Sequence, residues 1–145
     1  MGAGLMRALT RRPDWRQQLA AFIADIRAKP FVWGDHDCGP AFTGRAVAVM
    51  TGEDLTRGFR RYSTLKGAVT AMRAAGFDNL GDLVASLLPE VHWSQAQVGD
   101  VAAFGTESAL GYALGIVNGE RVLVLREDGI GTMDLAAADR VFRVG

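Results

Sequence analysis

Cys38 is the only cysteine of the chain, and it stands two residues after His36, one of two histidines, in the segment Phe31-Val32-Trp33-Gly34-Asp35-His36-Asp37-Cys38-Gly39-Pro40. A thiol becomes a strong nucleophile as its thiolate. A helix N-terminus, with partial positive charge and free N–H groups, favours that form. Pro40 marks a helix start, because a first-turn residue needs no N–H. An imidazole within reach could take the thiol proton, and Asp35 or Asp37 could orient that imidazole. Cys38, His36 and Asp37 are therefore the candidate catalytic residues. A plainer reading stands beside this one. A lone cysteine is commonly an inert buried hydrophobe, and His36 can simply brace the turn before the helix. At a spacing of two, the ring needs an unusual backbone to accept from the sulfur.

Other groups carry less. His92, in Val91-His92-Trp93, reads as a surface histidine in a loop. Tyr112 offers a hydroxyl but is a poor base at neutral pH. Arg57, Arg60 and Arg61, beside Phe59 and Tyr62, read as a solvated loop or a contact to a neighbouring subunit. Trp15, Trp33 and Trp93 are expected as core or interface aromatics rather than a platform for sugars. Asp100, after Gly99, reads as a structural strand-entry device. Gly115, Gly119, Gly129 and Gly131 fit turns and close packing, and they form no phosphate-cradling pattern.

Composition narrows the classes. At 145 residues, 49% hydrophobic and 22% charged, the chain has the size and make-up of one globular domain. Lys plus Arg and Asp plus Glu both number 16, so no overall basic field would draw it to nucleic acid or an anionic membrane. One cysteine excludes an internal disulfide. With two histidines it leaves too few ligands for a Cys/His zinc site, so neither metal nor cofactor is expected. No window approaches the ~18 apolar residues of a membrane span. Residues 1–12 lack the pattern of a signal peptide and read as a mobile or partner-bound arm, with one domain over 13–145.

The elements that would hold the cysteine can be read along the chain. Asp14 with Gln17 suggests an N-cap, and Trp15, Leu19, Phe22, Ile23 and Ile26 recur at helical spacing until Pro30. A second helix runs from Cys38 or Gly39 to about Met50, apolar enough to be central. Ser63 is placed to cap a third, Thr64 to Ala75, ended by Gly76. A fourth spans roughly Leu80 to Leu88 and stops at Pro89. Beyond Gly99 the pattern turns to period two and short apolar runs. Strands are expected at Val101–Phe104, Tyr112–Val117, Arg121–Arg126, Thr132–Leu135 and Val141–Val144, with Asn118-Gly119 as a hairpin turn. Helices followed by a strand meander imply an α+β domain with an antiparallel sheet of about five strands.

Trp33-Gly34, Asp37-Cys38, Gly99-Asp100-Val101-Ala102-Ala103-Phe104 and Leu114-Gly115-Ile116-Val117 together resemble the NlpC-type branch of the papain-like cell-wall peptidases. Arg60-Arg61-Tyr62, Leu65-Lys66-Gly67-Ala68 and Phe142-Arg143-Val144 extend the likeness to an NlpC-like family of phage and prophage tail-gene clusters, over about Pro13 to Val144. The resemblance implies N-terminal helices packed on the C-terminal sheet, with Cys38 at the nucleophile position. It places the histidine base at Ala113, in Ala113-Leu114-Gly115-Ile116, and the orienting residue near Val124. Two of the three roles are thus filled by aliphatic residues. The expectation is a tail-tip or tail-assembly protein with a binding role. Its partners would be other tail subunits, with peptidoglycan as a further candidate, in the virion or in the host cytoplasm during assembly. The alternative is an active murein peptidase or amidase using Cys38, with His36 or His92 as base.

Overall fold

Five aromatic and aliphatic residues on one face make Trp15–Ile26 an amphipathic helix, α1, with Leu19 and Ile26 buried. The computed structural model describes residues 9–27, 40–55, 62–126 and 129–145. Asp14 precedes α1 but does not cap it: its backbone lies at φ −98°, ψ 20°, outside the extended region a capping residue uses. Its carboxylate accepts instead from the Gln18 side chain at 3.0 Å. Helix α2 spans Pro40–Thr51 and is the central one. Phe42, Ala46 and Met50 are fully enclosed, and Phe42 stacks on Phe22 of α1 with ring centroids 6.1 Å apart.

Helix α3 covers Leu65–Ala74, and its cap is Thr64 rather than Ser63. Thr64 has the extended backbone a cap needs, and its hydroxyl accepts from the Gly67 amide at 3.0 Å. Gly76, at φ +96°, ends the helix as expected of a residue just past a C-terminus. Helix α4, Leu80–Ala85, is capped by Asn79 and buries Leu80, Leu83 and Val84.

The sheet has six strands in the order β1-β6-β2-β3-β4-β5, every neighbouring pair antiparallel. The strands are β1 Glu90–Val91, β2 Val101–Gly105, β3 Tyr112–Asn118, β4 Arg121–Arg126, β5 Gly129–Asp134 and β6 Arg140–Phe142. The sixth strand beyond the five expected is β1, two residues held by pairing with β6. Pairing of Asn118 with Arg121 makes Gly119 and Glu120 the turn between β3 and β4. Gly119 alone takes positive φ there, +83°, the pattern of a type II′ hairpin turn.

Both faces of the sheet are apolar. One packs Val101, Ala103, Leu114, Ile116, Leu123, Leu125 and Phe142 with the helices in the main core. The other gathers Ala102, Phe104, Val117, Val122, Val124 and Val141 into a smaller cluster, bordered by Val91, Ala96, Met133, Leu135 and Ala138. Short 3-10 turns at Trp93–Gln95 and Leu135–Ala137 lie at this border. This two-sided burial explains why β2, β3 and β4 contain runs of consecutive buried residues rather than strict alternation.

The end of the expected arm is docked onto the body. The Arg12 amide donates to the Met50 carbonyl at 2.8 Å. The Arg11 guanidinium reaches the Val144 and Val98 carbonyls, both at 2.6 Å, and Asp100 Oδ1 at 2.9 Å.

Candidate functional site

The helix placed to follow the cysteine is firmly seated. Along α2, Ala41, Phe42, Thr43, Ala46, Val47 and Met50 are buried, and contact with Leu114 and Ile116 in the main core fixes the helix on one face of the sheet. The first turn of α2, at Pro40, carries the positive end of the helix dipole. The residues proposed to use that position, His36, Asp37 and Cys38, lie outside the described residues, as do Asp35, Trp33, Arg57, Arg60 and Arg61.

The two strand positions that the resemblance assigns to base and orienting residue are described, and they sit in an apolar sheet. Ala113, half-buried in β3, pairs with Phe104 of β2. Val124, 4% exposed in β4, pairs with Gly115. Paired residues of antiparallel strands project to the same face. Ala113 thus shares the face of Phe104, and Val124 packs with Phe104, Val117 and Val122 in the smaller cluster. Neither side chain can accept a proton. This face is opposite to the one that receives α2.

Close contact between β3 and β4 depends on Gly115. A Cβ there would lie 2.5 Å from the Leu123 carbonyl oxygen and 2.7 Å from Val122 Cγ1. Tyr112, adjacent to Ala113 in sequence, faces the other way. Its ring packs against the main core and lies 5.9 Å from the Arg140 guanidinium carbon.

His92 is exposed and locally committed. It is the N-cap of the 3-10 turn at Trp93–Gln95, its Nδ1 accepting from the Ser94 amide at 3.1 Å and lying 2.7 Å from the Ser94 hydroxyl. Asp100 is the polar centre of the described residues. It is 1% exposed. Its Oδ1 accepts from Arg11 and from the Val144 amide at 3.0 Å, and its Oδ2 from the Gln97 amide at 2.9 Å. Burial lowers the affinity of the Arg11 guanidinium for its proton, and Asp100 opposes this through charge and hydrogen bonding. Gly99-Asp100 signals the strand entry in the sequence, whereas nothing local announces Arg11, 89 residues earlier.

Among the described residues no group of three or more His, Cys, Asp or Glu side chains is placed to hold a metal ion, and no helix is long and apolar enough to cross a membrane. Of the tryptophans, Trp15 packs partly buried against the core, while Trp93 is 43% exposed. That exposure excludes a core placement for Trp93.

Comparison with known folds agrees with this architecture. A crystal structure of the NlpC/p60 domain of the peptidoglycan hydrolase SagA superposes with a TM-score of 0.53 over 88% of this chain and 97% of that domain, at 15% sequence identity. At this identity the likeness establishes the fold, which is NlpC-like. Among curated proteins no sequence matches. A family model described as a domain of unknown function, DUF6950, matches residues 10–144, nearly the whole chain, including the docked Arg11 and the core residue Val144, and the protein belongs to that family.

Proposed function

We propose that this chain is a phage or prophage tail protein, of the tail tip or its assembly, whose NlpC-like domain binds rather than cleaves. The reading is supported by Ala113 and Val124, the aliphatic residues at the two strand positions that the NlpC resemblance assigns to a base and its orienting group. Without an acceptor on β3, the sheet supplies no general base to a thiol, and a neutral thiol attacks carbonyls slowly. The rigid seat of α2 and the closely packed β3–β4 pair support retention of the scaffold for recognition. Its partners are other tail subunits, with peptidoglycan as a second surface.

Two measurements test this. Iodoacetamide labelling of Cys38 is expected to be slow at pH 6–7 and to rise steadily as the pH is raised, because the thiolate is the reacting form. Co-expression with tail-tip proteins is expected to yield a complex that co-purifies. Fast labelling that is flat between pH 6 and 8, together with murein solubilisation lost in Cys38→Ala, overturns the binding role in favour of a working peptidase that recruits His36 or His92. Failure to co-purify with any tail-tip protein overturns the tail assignment.

A further inference from the structure

An open cleft of about 460 Å³ lies along the paired strands β1 and β6, and Glu90, His92, Trp93, Asp139 and Arg140 are among the residues that line it. None of its lining belongs to α2, β3 or β4, so it is separate from the strand positions discussed above. Its volume falls in the range of small-molecule sites, roughly 300–1,000 Å³.

The chemistry of the walls is specific. Trp93 offers a broad apolar face to solvent, and its ring is held beside the His92 imidazole, centroids 5.5 Å apart and tilted by 33°. His92 cannot turn freely, because its Nδ1 is engaged by Ser94. With Nδ1 accepting from the Ser94 amide, the neutral ring carries its proton on Nε2, which is left as a donor. Asp139 spends one oxygen on the Gly105 amide, at 2.6 Å, and its other oxygen has no protein partner among the described residues.

Arg140 is already committed to two carboxylates. Its Nε and one terminal nitrogen clamp Glu90 at 3.1 and 2.8 Å, and the other terminal nitrogen binds Asp82 at 2.9 Å. The cleft thus has no cation to spare for an anionic ligand, and the free carboxylate oxygen of Asp139 disfavours one. What remains is an aromatic platform with a fixed hydrogen-bond donor and an acceptor at its rim. That set suits a ring with an apolar C–H face and hydroxyls around its edge.

We propose that this cleft binds a neutral sugar ring of an oligosaccharide, stacked on Trp93, with its hydroxyls accepting from His92 Nε2–H and donating to Asp139. This inference stands independently of any role of Cys38. Isothermal titration calorimetry of the full chain with β-1,4-linked N-acetylglucosamine tetrasaccharide and with maltotetraose tests it. Binding of at least one is expected, weakened tenfold or more in Trp93→Ala and in His92→Phe, with unchanged binding in Cys38→Ala. The exposed indole can be removed without disturbing the core, and an unchanged thermal midpoint for Trp93→Ala verifies that. Absence of heat with both sugars at 10 mM ligand, binding indifferent to Trp93→Ala, or tighter binding of a sulfated oligosaccharide of the same length overturns the proposal. A protein that binds sugar here yet fails to associate with tail subunits would refute the tail assignment alone.

Discussion

Asp100→Ala should destabilise the fold more than any exposed charge substitution. Asp100 is 1% exposed and accepts three hydrogen bonds, from Arg11, the Val144 amide and the Gln97 amide. Removing the carboxylate leaves the Arg11 guanidinium, whose side chain is 12% exposed, without a counter-charge, and leaves two amides without acceptors. Breaking an enclosed ion pair from one side costs about 3–5 kcal/mol, because the survivor keeps its desolvation penalty. Arg11 retains some access to water and two carbonyl partners, so the lower end applies, about 3 kcal/mol. For a chain of this size the thermal midpoint should fall by roughly 10 °C.

Asp100→Asn keeps one acceptor oxygen and loses the charge, and about 2 kcal/mol is expected. Guanidinium chloride unfolding reads these values as shifts of the midpoint at constant slope. Arg11→Ala and the double variant with Asp100→Ala complete a cycle, in which the coupling should exceed about 1 kcal/mol. Asp134→Asn is the internal control. Its pair with Arg121 is exposed on both sides, 71% and 48%, and should contribute less than about 1 kcal/mol. A loss below 1 kcal/mol for Asp100→Ala, or strictly additive single variants, would refute the assignment of Asp100 and Arg11 as the clasp that closes the chain's two ends together.

Two further substitutions follow from local geometry. Gly115→Ala should cost about 1–3 kcal/mol, because the new methyl meets the Leu123 carbonyl at 2.5 Å, backbone that cannot step aside; a stability equal to the parent in denaturant unfolding would contradict this. Thr64→Ala should cost about 1 kcal/mol through loss of the α3 cap, while Ser63→Ala should be neutral, and equal effects in a thermal melt would show that the cap is shared.

Much of the fold is legible in the chain because punctuation and periodicity agree. Gly76 bounds α3 as read, and the apolar spacing from Trp15 marks α1, whereas α4 ends at Ala85, short of the expected stop at Pro89. The departures are places where local signals are degenerate and tertiary contacts decide. Ser63 and Thr64 are both competent caps, and only the backbone entering α3 selects Thr64. Gly129 and Gly131 fit a turn, yet both pair with β4, opposite Arg126 and Val124. Glu90-Val91 has no pattern of its own and becomes a strand only against β6.

The candidate site is legible by type and not by face. In a strand buried on one side, alternation tells which residues look inward. Here β2, β3 and β4 are buried on both sides, so apolar residues run consecutively and the pattern that would assign Ala113 to a face is erased. Its direction follows instead from pairing with Phe104, a contact between strands that no window of sequence contains. The same pairing limits what could be restored at that position. A histidine introduced at 113 would project over the smaller cluster of Phe104, Val117 and Val124, on the side of the sheet away from α2.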